Sequence, residues 1–302
     1  VLMAPVSTRG YPIYRKDDSM SQILIQGLLL SGLYALIAIG FTMIFSVGRV
    51  LNLAYGAYIM LGGYSYFWTV QMMHMPKIAG LAAAIAVGVA AGLLKHRLIV
   101  KPLKSDPVAV EISTLILAVV IQAGIVLVFN DSAKIMHPIV NGVWRVGGAT
   151  VTYNILSATL ASWVILLGLY WFVRKTHVGR AISAVSMDVK GAALSGINPD
   201  RINMITWGIS GALGAIAGVF FASYTMLSPG MWVTPLIIAV AVVIVGGIGS
   251  IIGTLVVAHI IGFMEIMTST LLAAELRGVF TMLLIIIVLV LMPRGLFGRG
   301  EL

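Results

Sequence analysis

Residues 202–264 read "INMITWGISGALGAIAGVFFASYTMLSPGMWVTPLIIAVAVVIVGGIGSIIGTLVVAHIIGFM" and contain no Asp, Glu, Lys or Arg. A helix needs about 20 residues to cross the hydrocarbon of a bilayer, so this run holds more than one crossing. It is interrupted by "SPGMWVTP" at 228–235 and "GGIGS" at 246–250, and Pro and Gly break helices. The run therefore predicts three apolar helices, at about 202–226, 234–247 and 250–267, with the middle one short enough to be a half-helix.

The rest of the chain has the same character. Hydrophobic residues make up 60% of the 302 and charged residues 10%, which lies far outside the range of water-soluble domains. Strands of a membrane barrel would alternate apolar and polar residues, and runs such as "LLIIIVLVLM" do not. We predict an all-α polytopic membrane protein with eight or nine transmembrane or half-spanning helices. The further helices are expected at about 22–46, 51–72, 78–94, 111–129, 155–173 and 278–292.

Basic residues are concentrated in two loops and the C-terminal tail, which hold eleven of the nineteen Lys and Arg. By the positive-inside rule these segments, including the C-terminus, are cytoplasmic, and the N-terminus is outside. The net charge of +9 is then explained by topology and indicates no nucleic-acid partner. The eleven are Lys95, Arg97, Lys101 and Lys104, then Arg174, Lys175, Arg180, Lys190 and Arg201, then Arg294 and Arg299.

The N-terminal residues 1–19 are a polar mixture without an apolar core. We expect them to be an extension that transport does not require, since disorder concentrates at chain ends. Residues 20–302 form the predicted transmembrane domain, which includes a cytoplasmic loop at 174–201. Cysteine is absent from the chain, so neither a disulfide nor a thiolate metal site can form.

The second predicted helix combines glycines with tyrosines in "LAYGAYIMLGGYSYF", residues 53–67. Hydroxyl groups at membrane depth need hydrogen-bond partners, which either neighbouring helices or a polar pathway supply. Both alternatives are open, and the second assigns Asn52, Tyr55, Gly56 and Tyr58 to a translocation path. On that hypothesis Gly56→Leu cuts uptake while the complex stays assembled.

Enzymatic motifs are missing from the sequence. It contains no HExxH, no GxSxG and no GxxxxGK[ST] phosphate loop, so we predict no catalytic residue, no metal ligand and no ATP site on this chain. His259 and Glu265 are six residues apart on one predicted helix, about 240° around it, and do not form one site. Glu265 is expected near the outer interface in a structural or solvated role.

A short polar stretch, "SMDVKGAALSGINPDR" at 186–201, separates two apolar runs. Ser186 is a suitable N-cap, Asp188 suits the first turn, and Gly196 followed by "INPD" is a stop signal. A helix at 187–195 is predicted, and so short a helix persists only when docked. It docks either on a soluble partner or on its own membrane domain. The residues assigned to docking are Ser186, Asp188, Lys190, Ala192, Ala193, Leu194, Gly196 and Ile197.

Four ordered blocks of the chain resemble one known family. They are "GLLLSGLYALIAIGFTMIFSVGRVLNLAYGAYIMLGGY", "GRAISAVSMDVKGAALSGINPDRINMITWGISGALGAIAGVFFA", "VVIVGGIGSIIGTLVVAHIIGFME" and "MPRGLFGRG". Together they look like the permease subunit of the branched-chain amino-acid class of bacterial ABC importers. The resemblance implies that 186–198 is the loop that contacts the ATPase. The family usually has an acidic residue and two alanines there, where this chain has Lys190, Gly191 and Ala192.

The resemblance also implies a set of partners. Two ATPase subunits bind the ATP, a second homologous permease completes the path, and a periplasmic or extracellular solute-binding protein delivers a small polar solute. The complex lies among the lipids of the bacterial cytoplasmic membrane. The alternative is a self-contained secondary transporter or channel, which would be expected to place ionisable residues in its spans. A membrane scaffold without transport is a third alternative, and it would not need the Gly and Tyr pattern of the second helix.

Overall fold

In the computed structural model, residues 16–146, 149–247, 249–273, 276, 278–292 and 295–297 are described. The α-helices in these residues are α1 Lys16–Gly48, α2 Tyr55–Phe67, α3 Lys77–Lys95, α4 Pro107–Phe129, α5 Tyr153–Lys175, α6 His177–Met187, α7 Val189–Leu194, α8 Pro199–Tyr224, α9 Val233–Gly246, α10 Ile251–Leu271 and α11 Val279–Leu291. Helices α2 and α3 each continue into a π-helical turn, Trp68–Met72 and His96–Val100. The strands β1 Val143–Val146 and β2 Ala149–Thr152 pair antiparallel, with Val143 opposite Thr152.

The nine predicted apolar helices are all present, and the all-α prediction is confirmed. Six of them, α1, α3, α4, α5, α8 and α10, are long and apolar enough to cross a membrane, while α9 and α11 are shorter. Helix α9 has 14 residues, about 21 Å at 1.5 Å per residue, against a hydrocarbon core of about 30 Å. Residues 1–15 of the predicted extension lie outside the described residues, and residues 16–19 belong to α1.

Helix starts follow from local side chains. Six helices begin after a residue whose side chain accepts a hydrogen bond from a backbone N–H of the first turn, which satisfies a donor that the helix leaves unpaired. These capping residues are Asp106, Thr152, Thr176, Asp188, Asn198 and Ser250. Helices α4 and α8 also have Pro in their first turn, where its missing N–H is not needed.

Helices α1 and α8 form the centre of the bundle. Helix α8 packs on α3, α2 and α1, and α1 packs on α10, α5 and α9. Within the most apolar 18-residue stretch of each helix, 89% of the residues are buried in α1 and 72% in α8, against 22% in α3 and in α4. The outer faces of α3, α4 and α5 are therefore available to lipid or to another subunit.

The basic segments converge on one end of the bundle, called here the basic face. The Arg49 guanidinium donates to the Met187 carbonyl oxygen at 3.4 Å, which joins the end of α1 to α6. Lys101 and Lys104 lie 3.4 and 3.6 Å from the Asp200 carboxylate at the start of α8. Near the C-terminus, residues 295–297 return to the end of α9 through backbone hydrogen bonds.

The opposite end of the bundle is closed by the connection between α4 and α5. Lys77, at the start of α3, donates to the Ile139 carbonyl oxygen at 2.6 Å. Asn154 accepts from the Ile139 backbone N–H at 2.9 Å and donates to the Ser223 hydroxyl at 3.0 Å. The strands β1 and β2, which the sequence patterns did not predict, lie within this connection.

Candidate transport site

Two non-helical segments enter the bundle. The first, residues 49–54, lies between α1 and α2, and its Asn52 and Ala54 are fully buried. The second, residues 225–232, follows α8, and its Leu227 and Trp232 are buried. Non-helical backbone at membrane depth persists only where it is enclosed in protein or lines a cavity. Helices broken at this depth are typical of the binding sites of transporters.

The second segment turns back into the bundle. Leu227 pairs with Lys134 of the α4–α5 connection through two backbone hydrogen bonds and packs near Gly63 in the last part of α2. Five residues later, the Trp232 carbonyl lies against Gly56, in the first turn of α2. Gly56 and Gly63 are seven residues apart, about 10 Å along a helix. Helix α9 therefore starts about 10 Å inside the bundle, which makes it a half-helix as predicted.

Helix α4 contacts both non-helical segments through one polar stripe. The Leu51 backbone N–H donates to Glu111 at 3.4 Å, and the Leu53 N–H donates to the Thr114 hydroxyl at 3.0 Å. Two turns further along, Gln122 accepts from the Trp232 indole N–H at 2.6 Å. Glu111 and Thr114 thus accept from backbone N–H groups that have no partner within a helix, and Gln122 accepts from a side-chain N–H of the second segment. Helix α4 thus holds the two breaks in place.

A buried lysine lies beside the first break. The assignment of Lys95 to a loop is wrong: it ends α3, its side chain is buried at 2% exposure, and its ammonium group contacts the Asn52 side-chain oxygen. The ammonium also lies 4.8 Å from the centre of the Trp207 ring and 5.6 Å from that of Tyr58. Cation–π contacts of this kind stabilise a cation that has lost its water.

The surroundings of Lys95 are rich in hydrogen-bond donors. The Asn52 side-chain N–H and the Trp207 indole N–H are both buried, and the Trp207 N–H has no partner among the described residues. His96 is buried as well, with its ring 6.2 Å from that of Trp207. We refer to Asn52, Tyr58, Lys95, His96 and Trp207 as the Lys95 cluster. Its chemistry suits an anionic or carbonyl oxygen, because most of its unused polar atoms donate.

The four predicted path residues do not all have the same neighbours. Asn52 and Tyr58 belong to the Lys95 cluster. Tyr55 is fully buried between α1 and α8, with its ring 5.6 Å from Phe41, edge to face. Gly56 faces the second break, where a Cβ would overlap the Trp232 carbonyl oxygen. The Tyr55 ring also lies 6.2 Å from that of Tyr58, edge to face, so Asn52, Tyr55 and Tyr58 adjoin one another and Gly56 faces the second break. The overlap at Gly56 argues against an undisturbed Gly56→Leu variant, and the effect on uptake and assembly stays a prediction.

The sequence patterns missed Lys95 and Trp207. A signal for Lys95 was available, because the buried side of α3 runs through Gly80, Ala84, Gly88 and Gly92 and continues to Lys95. That spacing of three and four residues places Lys95 on the stripe of small residues that packs against α8. It was assigned to a loop because the apolar run ends one residue before it.

The predicted docking segment is shorter than expected. Ser186 lies inside α6 and does not cap α7; Asp188 is the N-cap and accepts from the Lys190 backbone N–H at 2.9 Å. Gly196 ends the short helix in the left-handed region at φ +81°. The Ile197 and Gly196 N–H groups donate to the Ala192 and Ala193 carbonyls, which is the Schellman arrangement. The predicted stop at Gly196 is confirmed.

Helix α7 is attached to the bundle on one side only. Ala192 is buried at 5% exposure and Ile197 is half-buried. Lys190, Ala193 and Leu194 are exposed, Leu194 at 91%. One side of α7 therefore packs on the chain's own domain, while the other presents Leu194 at the basic face, and docking on a soluble partner stays a prediction.

His259 and Glu265 have separate neighbours, as predicted. The His259 ring lies 5.3 Å from that of Trp163, while Glu265 is half-buried and accepts a hydrogen bond from the Tyr34 hydroxyl. In the described ranges, no group of three or more His, Asp or Glu side chains is placed to hold a metal ion.

The comparisons with known proteins agree with this architecture. Residues 23–289 match the family described as branched-chain amino acid transport system / permease component. The chain is 31% identical to the LivH permease of the high-affinity branched-chain amino acid transport system of Escherichia coli K12, over 93% of this chain and 96% of LivH. It is 29% identical to the corresponding BraD permease of Pseudomonas aeruginosa over the same shares, and 24% identical to the ribose import permease RbsC of E. coli over 88% and 82%. No solved structure matches significantly. The chain belongs to the family of branched-chain amino acid transport system permease components.

Proposed function

We propose that this chain is the permease subunit of an ATP-driven importer and that the solute is a branched-chain amino acid. LivH and BraD, which align over almost their whole length, are named as permeases of such systems. The observation that carries the proposal is that two helix breaks lie within the bundle near the first turn of α2, the first of them beside buried polar groups, in a chain of the permease family. ATP binds to a partner subunit, and this chain binds no cofactor of its own.

The translocation path in this proposal runs along the first part of α2. Asn52 and Tyr58 are members of the Lys95 cluster, and the buried Tyr55 hydroxyl has no partner among the described residues. Unsatisfied polar groups in hydrocarbon are costly, so their retention supports contact with a polar solute in another state of the cycle. Gly56 contributes by allowing the second break to approach α2 closely.

The docking of the ATPase involves the exposed side of α7. Two ATPase subunits bind the basic faces of this chain and of a second, homologous permease, and a periplasmic or extracellular binding protein delivers the solute to the opposite face. The basic face, including the C-terminus, is cytoplasmic by the positive-inside rule. Membrane lipid covers the remaining apolar faces. The host membrane is the cytoplasmic membrane of a bacterium.

The test of this function is uptake by the reconstituted complex. We expect radiolabelled leucine to enter proteoliposomes that hold the permease, its partner permease and the ATPases, when the binding protein is outside and ATP is inside. Excess unlabelled isoleucine or valine should compete, and ribose should not. Uptake that proceeds without ATP and follows an ion gradient would contradict the proposal and favour a secondary transporter.

Ala193→Arg tests the docking helix. Ala193 is exposed on α7, so the membrane domain should fold normally, while a bulky cation in a desolvated interface is unfavourable. We expect the variant to lose co-purification of the ATPase, or transport-stimulated ATP hydrolysis, by about tenfold, equivalent to about 1.4 kcal/mol. Ala193→Ser is the matched control and should behave as wild type. Retention of both activities in Ala193→Arg would refute docking at α7.

A further inference from the structure

We propose that Lys95 binds the carboxylate of the transported solute, and that Asn52 takes the place of that carboxylate while the path is closed. The inference rests on the proposed function, because it concerns the same path. It adds a residue and a chemical class of ligand that the family assignment does not give.

Lys95 has no anionic partner among the described residues. In the described parts of the chain, the Lys–carboxylate pairs involve Lys101 and Lys104 with Asp200, and Lys95 takes part in none. Its ammonium contacts the Asn52 oxygen and the rings of Trp207 and Tyr58. A cation inside a membrane protein usually pairs with an anion or marks the route of a ligand. Because no carboxylate of the described residues pairs with Lys95, the carboxylate of a ligand is a suitable partner for it.

The Asn52 amide resembles a carboxylate in size and shape. Its oxygen already occupies the position at the ammonium that a carboxylate oxygen would take. A carboxylate adds to the hydrogen bond a Coulomb attraction to the protonated Lys95 that the neutral amide lacks, and this attraction is strongest where water is excluded, so an arriving carboxylate competes with the amide. The second oxygen of the carboxylate can accept from the Trp207 indole N–H, which is buried without a partner among the described residues, or from the buried Asn52 N–H.

Displacement of Asn52 would be transmitted to α2. It lies in the non-helical segment 49–54, which starts at Arg49 with a positive φ of 50° and leads directly into α2. A ligand shifts a conformational equilibrium by its difference in affinity for the two states. Binding at Lys95 would therefore favour the state in which residues 49–54 have moved and the path along α2 is open.

Binding measurements on the full-length chain in detergent test the proposal. Equilibrium dialysis with radiolabelled leucine gives the Kd, and two analogues compete: 4-methylpentanoate, which keeps the carboxylate but lacks the amine, and leucinamide, which lacks the carboxylate. We expect 4-methylpentanoate to displace leucine and leucinamide not to. Lys95→Met should weaken leucine binding by about tenfold or more, the usual effect of removing one partner of a buried ion pair. Lys77→Met, at the other end of α3, is the matched control and should bind as wild type.

Three results would overturn the proposal: no leucine binding by the wild type, equal Kd values for wild type and Lys95→Met, or equal competition by both analogues. If Lys95→Met does not fold, the variant Asn52→Asp tests whether a carboxylate at Lys95 blocks leucine binding. The carboxylate of this Asp would pair permanently with the Lys95 ammonium, so leucine binding should weaken about tenfold or more without loss of thermal stability. An unchanged Kd would refute the proposal. Leucine uptake by the wild-type complex tests the proposed function separately, because uptake can be normal even where Lys95 is shown not to bind.

Discussion

At the scale of single residues, close packing of glycines joins α3 to α8. A Cβ on Gly211 would overlap the carbonyl oxygen of Gly88, so the two backbones touch, as small residues allow in membranes. We expect Gly211→Ala to lower the free energy of unfolding by about 1–3 kcal/mol, the usual effect of overpacking. The loss should appear as a lower midpoint in thermal denaturation followed by size-exclusion chromatography.

Gly124 provides the matched control for that measurement. It lies on α4, and a Cβ there would meet no atom within 4 Å. Gly124→Ala should therefore leave the midpoint unchanged or raise it slightly, since Ala favours helix. If both variants melted at the same temperature, the contact between Gly88 and Gly211 would have no role in stability.

The residue scale also marks what sequence patterns can predict of the site. Buried hydroxyls and an amide among apolar residues identified Asn52 and Tyr58, which lie in the Lys95 cluster. The same pattern included Gly56, because proximity along the chain does not tell which side of α2 a residue faces; Gly56 contacts Trp232 instead. Lys95 and Trp207 are 112 positions apart in sequence, and their contact depends on the packing of α3 on α8, which no local pattern contains.

At the scale of elements, the second break depends on α4. The hydrogen bond from Trp232 to Gln122, at 2.6 Å, is a contact between this break and a helix that is otherwise largely exposed. We expect Gln122→Leu to cost about 1–3 kcal/mol, because it leaves the partly buried indole N–H without an acceptor. Denaturation in sodium dodecyl sulfate, followed by the loss of helical circular dichroism, measures the change.

A double-mutant cycle with Trp232→Phe separates the bond from general packing. If the hydrogen bond causes the loss, the second substitution should add little in the presence of Gln122→Leu, and Gln122→Glu, which keeps an acceptor oxygen, should lie closer to wild type. Strictly additive effects of Gln122→Leu and Trp232→Phe would show that the two side chains do not act together.

The elements themselves were predictable to different degrees. Pro and Gly in "SPGMWVTP" and "GGIGS" indicated the two ends of the half-helix α9, because these residues interrupt helices wherever they occur. Gly196 correctly predicts the end of α7. The pattern predicts its start at Ser186, because Ser186 and Asp188 are both good N-caps. The choice between them depends on how far α6 extends, which is decided by burial of its residues Ile182 and Val185 against the bundle.

At the scale of the whole molecule, the distribution of charge and the packing both distinguish the two ends of the bundle. The sequence separates strongly basic connections from connections with few charges, and the structure gathers the strongly basic ones at one end through the contacts of Arg49 with Met187 and of Lys101 with Asp200. The opposite end carries the β1–β2 hairpin and the connection that pairs with Leu227. Positive charge distributed in this way orients membrane proteins with the basic face in the cytoplasm.

This orientation can be tested directly, because the chain has no cysteine and any introduced thiol is the single target for a maleimide. Arg97 is exposed beyond α3 at the basic face, and Ser132 is exposed in the opposite connection. In intact spheroplasts, we expect a membrane-impermeant maleimide to label Ser132→Cys and to leave Arg97→Cys unlabelled until the membrane is permeabilised. The cysteine-free parent is the control for background. Labelling of Arg97→Cys from outside would invert the topology, and it would place α7 on the wrong side of the membrane to meet an ATPase.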